Sequence, residues 1–524
     1  MSAINNNSQQ CEELINNCEP IDANDPAYEQ ILKDLQGGII KNYGRNYSVY
    51  IFIQFDEDNE NKINEVKRWI RDEVAGDITS TFIQLEDTQN FREAKISNSS
   101  YSGKLCQNFF LSYQGYRALG YKLTNPTTGG DKFNDIHFEN GMKEEWKRNY
   151  CLDSPPDDYW YNPPEDWDIG GEHQIHALIL LAHDDLKELE NEANAIFDKI
   201  GNIGKILACE PGYVLREHNN QAIGPFGFAD GISQPLFLKK DYDNYKDRHY
   251  TSQWEPKASL NLVLVKDPFG EKYSYGSYCV FQKLETNYDC FEKKVRELSV
   301  RLGSNYERAG ALVFGRFKNG TPLAISDQPN QSGDRHSFNY ADDPEGRKCP
   351  LHAHIRKVNP RHDDEAQIDD RKTKNRIFRA GITYFDDPKA QSTPGLSTSQ
   401  LCFNKLDYLK EVNCRPLEEN IANISGLLFV SFQSDIQLQF LTQQKNWADN
   451  RRFPREEQTG ESIYLDPVIG QPLTKGFQSV PEPQQWTETW GQDDLHSYSF
   501  YGCVKNRGGE FFFAPSVSFL QNLS

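Results

Sequence analysis

The sequence predicts an α+β fold made of two ferredoxin-like halves. Three observations carry this. Apolar, β-branched and aromatic runs alternate with amphipathic helical stretches. Each unit holds only a few strands. The same rhythm returns in the second half after a long irregular stretch.

Taken in order, residues 1–30 are Asn-rich and read as a mobile tail. YSVYIFIQF (47–55) is a strand, followed by a helix with Ile63, Val66, Trp69, Ile70 and Val74 on one face, ending near Gly76. TFIQLED (81–87) reads as a weak strand and NFFLSYQ (108–114) as a stronger one. HQIHALILLA (173–182) is the next strand. Asp184 is positioned to cap a helix whose stripe is Leu186, Leu189, Ala193, Ile196, Phe197 and Ile200, with Gly201 ending it. In the second half, YGSYCVFQKL (275–284) is a strand and YDCFEKKVRELSVRLG (288–303) a helix. SGLLFVSFQ (425–433) is a strand leading into a helical DIQLQFLTQQKNW. Between them, residues 316–375 are rich in Gly, Pro, Asp and Arg without periodicity, which marks a functional or disordered stretch.

Composition narrows the function classes. A 37 % hydrophobic, 12 % aromatic chain of 524 residues supports a large core. The net charge of −20 argues against a general binder of nucleic acid or anionic membrane, so local basic patches carry more information. The longest apolar run, IHALILLA, is too short to span a bilayer. MSAINNNSQQCEELINNCEP has neither a basic nor an apolar leader segment, and eleven cysteines without a CxxC pair fit free thiols in a reducing cytosol. A cytoplasmic location is therefore expected.

Three short stretches could carry chemistry. In FGFADGISQP (226–235), Asp230 sits between glycines beside apolar residues. A carboxylate held against apolar surface exchanges protons near neutral pH, whereas the plainer reading is a surface Asp-Gly turn. CPLHAHIRKVNPR (349–361) holds two histidines. On a strand, His352 and His354 would share a face and one metal ion; on a helix only one of them could serve a single site. Arg356, Lys357 and Arg361 add charge suited to a cofactor with carboxylates, such as haem. Cys349 is an alternative thiolate ligand, and a solvated loop is the plain alternative. In RIFRAGITYF (376–385), Arg379 could stabilise negative charge on a bound oxygen species or simply face water. The acidic pairs Asp363-Asp364 and Asp369-Asp370 read as a solvated loop.

Together these stretches resemble the signature segments of the dye-decolorizing (DyP-type) haem peroxidases, in its larger intracellular bacterial subgroup. GFADGISQP is similar to the family's GxxDG motif, CPLHAHIRKVNPR to its proximal-histidine segment, and FRAGITYF to its distal-arginine segment. DLQGGIIKNYGR, AGALVFGRFKNGTPL, LDPVIGQ and GGEFFFAP have counterparts in the same order, so the resemblance covers nearly the whole chain after residue 30. It implies two ferredoxin-like domains with antiparallel sheets, residues 31–245 and 246–524, with haem b held in the second. It implies His354 as the iron ligand, Asp230 as the acid-base residue and Arg379 as the distal arginine. Leu427 and Phe429 would form the apolar distal wall, and Arg361, with Arg356 beside it, would lie near the propionates. Asp466 would partner the histidine, with Asp435 in reserve.

The implied activity is reduction of hydrogen peroxide through a ferryl state, with one-electron oxidation of small aromatic donors such as dyes and phenolics. No nucleic-acid partner is expected, and a homo-oligomer is compatible. The rivals are a haem-binding or iron-handling protein with little turnover, a metal-dependent hydrolase using His352 and His354, and an interaction module. Ala380, Thr383 and Phe385 depart from the family pattern around Arg379.

Overall fold

The computed structural model describes residues 10–97, 101, 103–124, 129–151, 162–217, 219–248, 253–330, 335–361, 374–387, 396–454, 464–472 and 482–524. In the first half the strands are β1 Tyr47–Phe55, β2 Cys106–Ser112, β3 Ala177–His183 and β4 Gly204–Tyr213. They pair antiparallel in the order β2-β3-β1-β4, with the first and third strands central. In the second half they are β5 Val265–Lys266, β6 Tyr275–Thr286, β7 Phe378–Arg379, β8 Ile382–Tyr384, β9 Gly426–Gln433, β10 Gln484–Thr487, β11 Leu495–Tyr498 and β12 Val504–Ala514. Here β12-β6-β9-β8 repeats the same order, again antiparallel. Both halves are thus ferredoxin-like α+β units, as the alternation predicts.

The two sheets join at both edges. β2 pairs with β12 through Phe512↔Ser112 and Phe513↔Leu111, and β4 meets β8 at Gly212↔Tyr384. Strand alternation then divides the core. Tyr50, Phe52, Phe281, Leu428 and Val430 point between the sheets, where the Phe52 and Phe281 rings meet at 4.8 Å. Val49, Ile51, Val280 and Phe511 face outward and are covered by helices.

Most predicted elements form where the pattern places them, and four differ. Thr81–Ile96 is a helix capped by Ser80, not a strand. Its inward stripe is polar: Thr81, Gln84 and Asp87 are buried while Ile83 is exposed, so hydrophobic periodicity misreads it. Gln84 accepts from Gly38 N at 2.9 Å and donates to Lys41 O at 2.7 Å. The N-terminal segment packs from Gln10 onward. Ile15, Ile21 and Tyr28 are buried, and Asp25 caps the helix Pro26–Asp34, so only residues 1–9 of the expected tail lie outside the described residues. Asp185, not Asp184, caps the helix Leu186–Ile200. Finally, Cys209 pairs with Cys402 and Cys290 with Cys503 as disulfides, correcting the reading of free thiols throughout. The partners are 193 and 213 residues apart, beyond any spacing rule. The acidic pairs at 363–364 and 369–370 lie outside the described residues. Among the described residues, no helix is long and apolar enough to cross a membrane.

Candidate active site

A cavity of about 300 Å³ lies on the outer face of the second sheet. β6 contributes Gln282 and Leu284 to it, and β9 contributes Leu427 and Phe429. These alternate with the residues that fill the core between the sheets, which is why the same strand serves both.

His354 lines the cavity as the first residue of the short helix His354–Val358. The helix Tyr306–Phe314 ends at Gly315, at φ 84°. A Cβ there would lie 2.6 Å from Ile355 Cγ1, so glycine permits both the turn and the close approach. This sets the Phe314 ring edge-on to His354 at 5.8 Å. His354 Nδ1 is 2.8 Å from Asp466 Oδ2. Asp466 is fully buried, and its Oδ1 accepts from Val468 N at 2.7 Å and Ile469 N at 3.1 Å. A carboxylate held this way accepts from Nδ1–H and leaves the Nε2 lone pair for a metal. Asp435, the reserve partner, instead caps the helix Ile436–Ala448 by accepting from Leu438 N.

His354 opens the helix, whereas His352 lies in the turn before it. His352 is buried edge-on against Trp486 at 4.5 Å and does not line the cavity, which corrects the two-histidine metal site. Cys349 is fully buried and does not line the cavity, so it is no ligand to a group held there, and burial pushes its thiol up to about 12.

Asp230 and Arg379 line the same cavity as His354. The Asp230 loop is held in a tight shape, with Phe226, Gly227, Gly231 and Ser233 all at positive φ. It is pinned by Asp230 N→Ala222 O at 2.8 Å and Ala229 N→Lys318 O at 2.8 Å. Asp230 Oδ1 accepts from Gly231 N at 2.6 Å, and the residue is exposed rather than buried against apolar surface. Arg379 Nη2 donates to Ile232 O at 2.9 Å, and Gln234 Nε2 donates to Arg379 O at 2.7 Å. The arginine strand and the aspartate loop are therefore fastened to each other.

The basic residues are distributed differently from expectation. Arg356 does not reach the cavity. It is buried, pairs with Asp343 at 2.9 Å, donates to Cys349 O and Asp343 O, and lies over the Tyr340 ring at 4.3 Å. Its charge is committed to the protein, which corrects its place near the propionates. Arg361 stands one contact behind the wall, donating to Ser233 Oγ at 2.7 Å and stacking on Phe338 at 3.8 Å. Arg316, which the sequence reading passed over, does line the cavity. It is buried, and its bonds run to the Gly320 and Arg335 carbonyls at 2.9 and 2.7 Å. Burial pulls its guanidinium down to about 10, and Arg379 adds to the depression. The signal was an arginine inside the apolar run of AGALVFGRF.

These residues fit a haem: apolar walls from Leu427, Phe429, Phe314 and Phe440 for a flat ring, one imidazole for the iron, and Arg316 and Arg379 for its carboxylates. No family model matches the chain. It is 31 % identical over 511 residues to the multifunctional dye peroxidase DyP2 of Amycolatopsis sp., covering 94 % of this chain and 96 % of that protein. A solved DyP-type peroxidase of Anabaena sp. superposes with a TM-score of 0.79 at 34 % identity, over 98 % of this chain and 99 % of that one. A deferrochelatase of Yersinia pestis is 34 % identical over 253 residues, 47 % of this chain and 40 % of that protein. The agreement of fold, cavity and end-to-end similarity places this chain in the dye-decolorizing (DyP-type) peroxidases, haem b enzymes that use hydrogen peroxide to oxidise organic donors.

Proposed function

We propose that His354 ligates the haem iron through Nε2 while Asp230 and Arg379 act on hydrogen peroxide. The observation that carries this is one cavity lined by a carboxylate-bonded histidine, a guanidinium and a loop carboxylate. Bound haem supplies the redox-active iron. Asp466 holds the Nδ1 proton of His354 and so increases the electron density that the imidazole donates. Asp230 carries the peroxide proton. Its Oδ1 is engaged by Gly231 N–H, so Oδ2 takes the proton from the near oxygen and returns it to the far one, which leaves as water. Arg379 stabilises the negative charge that develops as the O–O bond breaks. Leu427 and Phe429 exclude water. Arg316 and Arg379 counter the cofactor's carboxylates, and Arg361 supports that wall through Ser233.

The reacting partners in this proposal are hydrogen peroxide and small aromatic reductants, and the net charge of −20 argues against general binding of nucleic acid. The exposed thiols Cys18 and Cys414 fit a reducing compartment such as the cytoplasm, whereas the disulfides Cys209–Cys402 and Cys290–Cys503 fit an oxidising one. The test is the visible spectrum of the haem-loaded protein before and after one equivalent of hydrogen peroxide. Rapid stoichiometric conversion of the Soret band in the wild type, slowed in Asp230→Asn, supports the assignment. Equal rates in the two proteins overturn the role of Asp230.

A further inference from the structure

Lys357 lies three residues after His354 on the same short helix, and it is fully buried. Its ammonium turns away from the cavity. Nζ donates to Asn450 O at 2.7 Å, Phe453 O at 2.6 Å and Trp447 O at 3.3 Å. These carbonyls sit at and just beyond the end of the helix Ile436–Ala448, where carbonyls lack helical partners and favour a cation.

The segment so gathered, residues 447–453, is hydrogen-bonded to the stretch 464–471 that carries Asp466. Asp466 N donates to Ala448 O at 3.0 Å, Tyr464 N to Arg451 O at 3.0 Å, and Gln471 N to Asp449 Oδ1 at 2.7 Å. The His354–Val358 helix is therefore tied to both of these mutually bonded stretches. One tie is His354 to Asp466, which faces the cavity. The other is Lys357 to the carbonyls of residues 447, 450 and 453, one turn along. Removing the second tie would free the segment to move relative to the imidazole. Burial lowers the Lys357 amine to about 7, and the charges of Asp466 and Asp449 oppose that shift, while the three carbonyl bonds hold the amine whichever form it takes.

We propose that Lys357 is a positioning residue for the peroxidase reaction: by clamping segment 447–453 it holds Asp466 in register with His354 Nδ1, and so sets the orientation and donor strength of the iron-bound imidazole. This rests on the reading of His354 as the iron ligand.

The experiment compares haem-loaded wild type, Lys357→Met, Lys357→Gln, Asp466→Asn and the Lys357→Met/Asp466→Asn double variant. The primary readout is the iron–imidazole stretching band of the ferrous protein by resonance Raman spectroscopy. Thermal melting of each apoprotein is measured alongside. A carboxylate-bonded imidazole binds iron more strongly, so Asp466→Asn is expected to lower the band. Lys357→Met is expected to lower it part of the way, and the double variant no further than Asp466→Asn alone. Lys357→Gln keeps a hydrogen-bond donor and is expected to recover part of the shift, and it serves where the Met variant does not fold. A lower melting temperature with an unmoved band, or additive shifts in the double variant, overturns the proposal while leaving His354 as ligand. A wild-type protein with no iron–imidazole band overturns the ligand assignment and the proposal with it.

Discussion

Asp466 Oδ2 meets His354 Nδ1 at 2.8 Å across 112 residues of chain, and its other oxygen is taken by the Val468 and Ile469 amides. One buried carboxylate thus has both oxygens committed, one to its own turn and one to the histidine. Asp466→Asn retains the oxygen for its own turn but loses the charge. It is expected to lower haem affinity about 10- to 100-fold, the usual effect of removing a partner behind a ligating histidine. Haem titration followed at the Soret band checks this, and unchanged affinity would mean that the bond does not tune the ligand.

Asp230→Asn is expected to slow the reaction with peroxide by about 10²–10⁴-fold, the range for a lost general acid-base group, while haem binding stays near wild type. Arg379→Leu is expected to cost about 10²–10³-fold in the same step. It also removes the bond to Ile232 O, so some disorder of the 230–235 loop should accompany the loss. Stopped-flow mixing with hydrogen peroxide separates the two effects from cofactor loss.

The two arginines Arg316 and Arg356 should behave in opposite ways. Arg316→Leu is expected to weaken binding of haem about tenfold but leave binding of haem dimethyl ester, whose carboxylates are capped, nearly unchanged. Arg356→Leu strands buried Asp343 without its partner and is expected to cost roughly 3–5 kcal/mol of stability. Urea denaturation and haem titration on both variants distinguish a cofactor contact from a structural ion pair.

Glu510 offers a pH test away from the cavity. Its carboxyl is buried on β12, accepts from Met142 N and Phe511 N at 2.8 Å, and is pushed up by burial to about 7. The folded protein therefore holds a proton that the unfolded chain releases near 4.5. The associated stability is fully present below about 4.5 and is lost as pH rises toward 7. Glu510→Gln is expected to flatten that decline, measured as urea midpoints at several pH values between these limits. An identical slope in the variant would show that Glu510 does not carry it.

Much of this protein was determined by local sequence. The strands Tyr47–Phe55, Tyr275–Thr286 and Gly426–Gln433 follow from continuous apolar and aromatic runs, since they are covered on both faces, and the helices Leu186–Ile200 and Tyr288–Arg301 from the period that burial on one face imposes. The stretches around Asp230, His354 and Arg379 stand out because each puts a reactive group beside glycine or apolar residues. The helix Thr81–Ile96 was not legible. Gln84 bonds to the backbone of Gly38 and Lys41, Thr81 to Gln36 O, and Asp87 pairs with Arg45, so its buried face carries no hydrophobic signal.

Tertiary structure alone decided which charges meet. Nothing local distinguishes Arg356 from Arg361, yet one is taken by Asp343 and the other braces Ser233, and Arg316, which its apolar run sets apart, reaches the cavity only through the fold. The same holds for His354 with Asp466, and for Lys357 with the end of a helix 90 residues away. A buried charge is settled by the partner that the fold brings to it, and a pairing across a hundred residues leaves no periodicity in the chain.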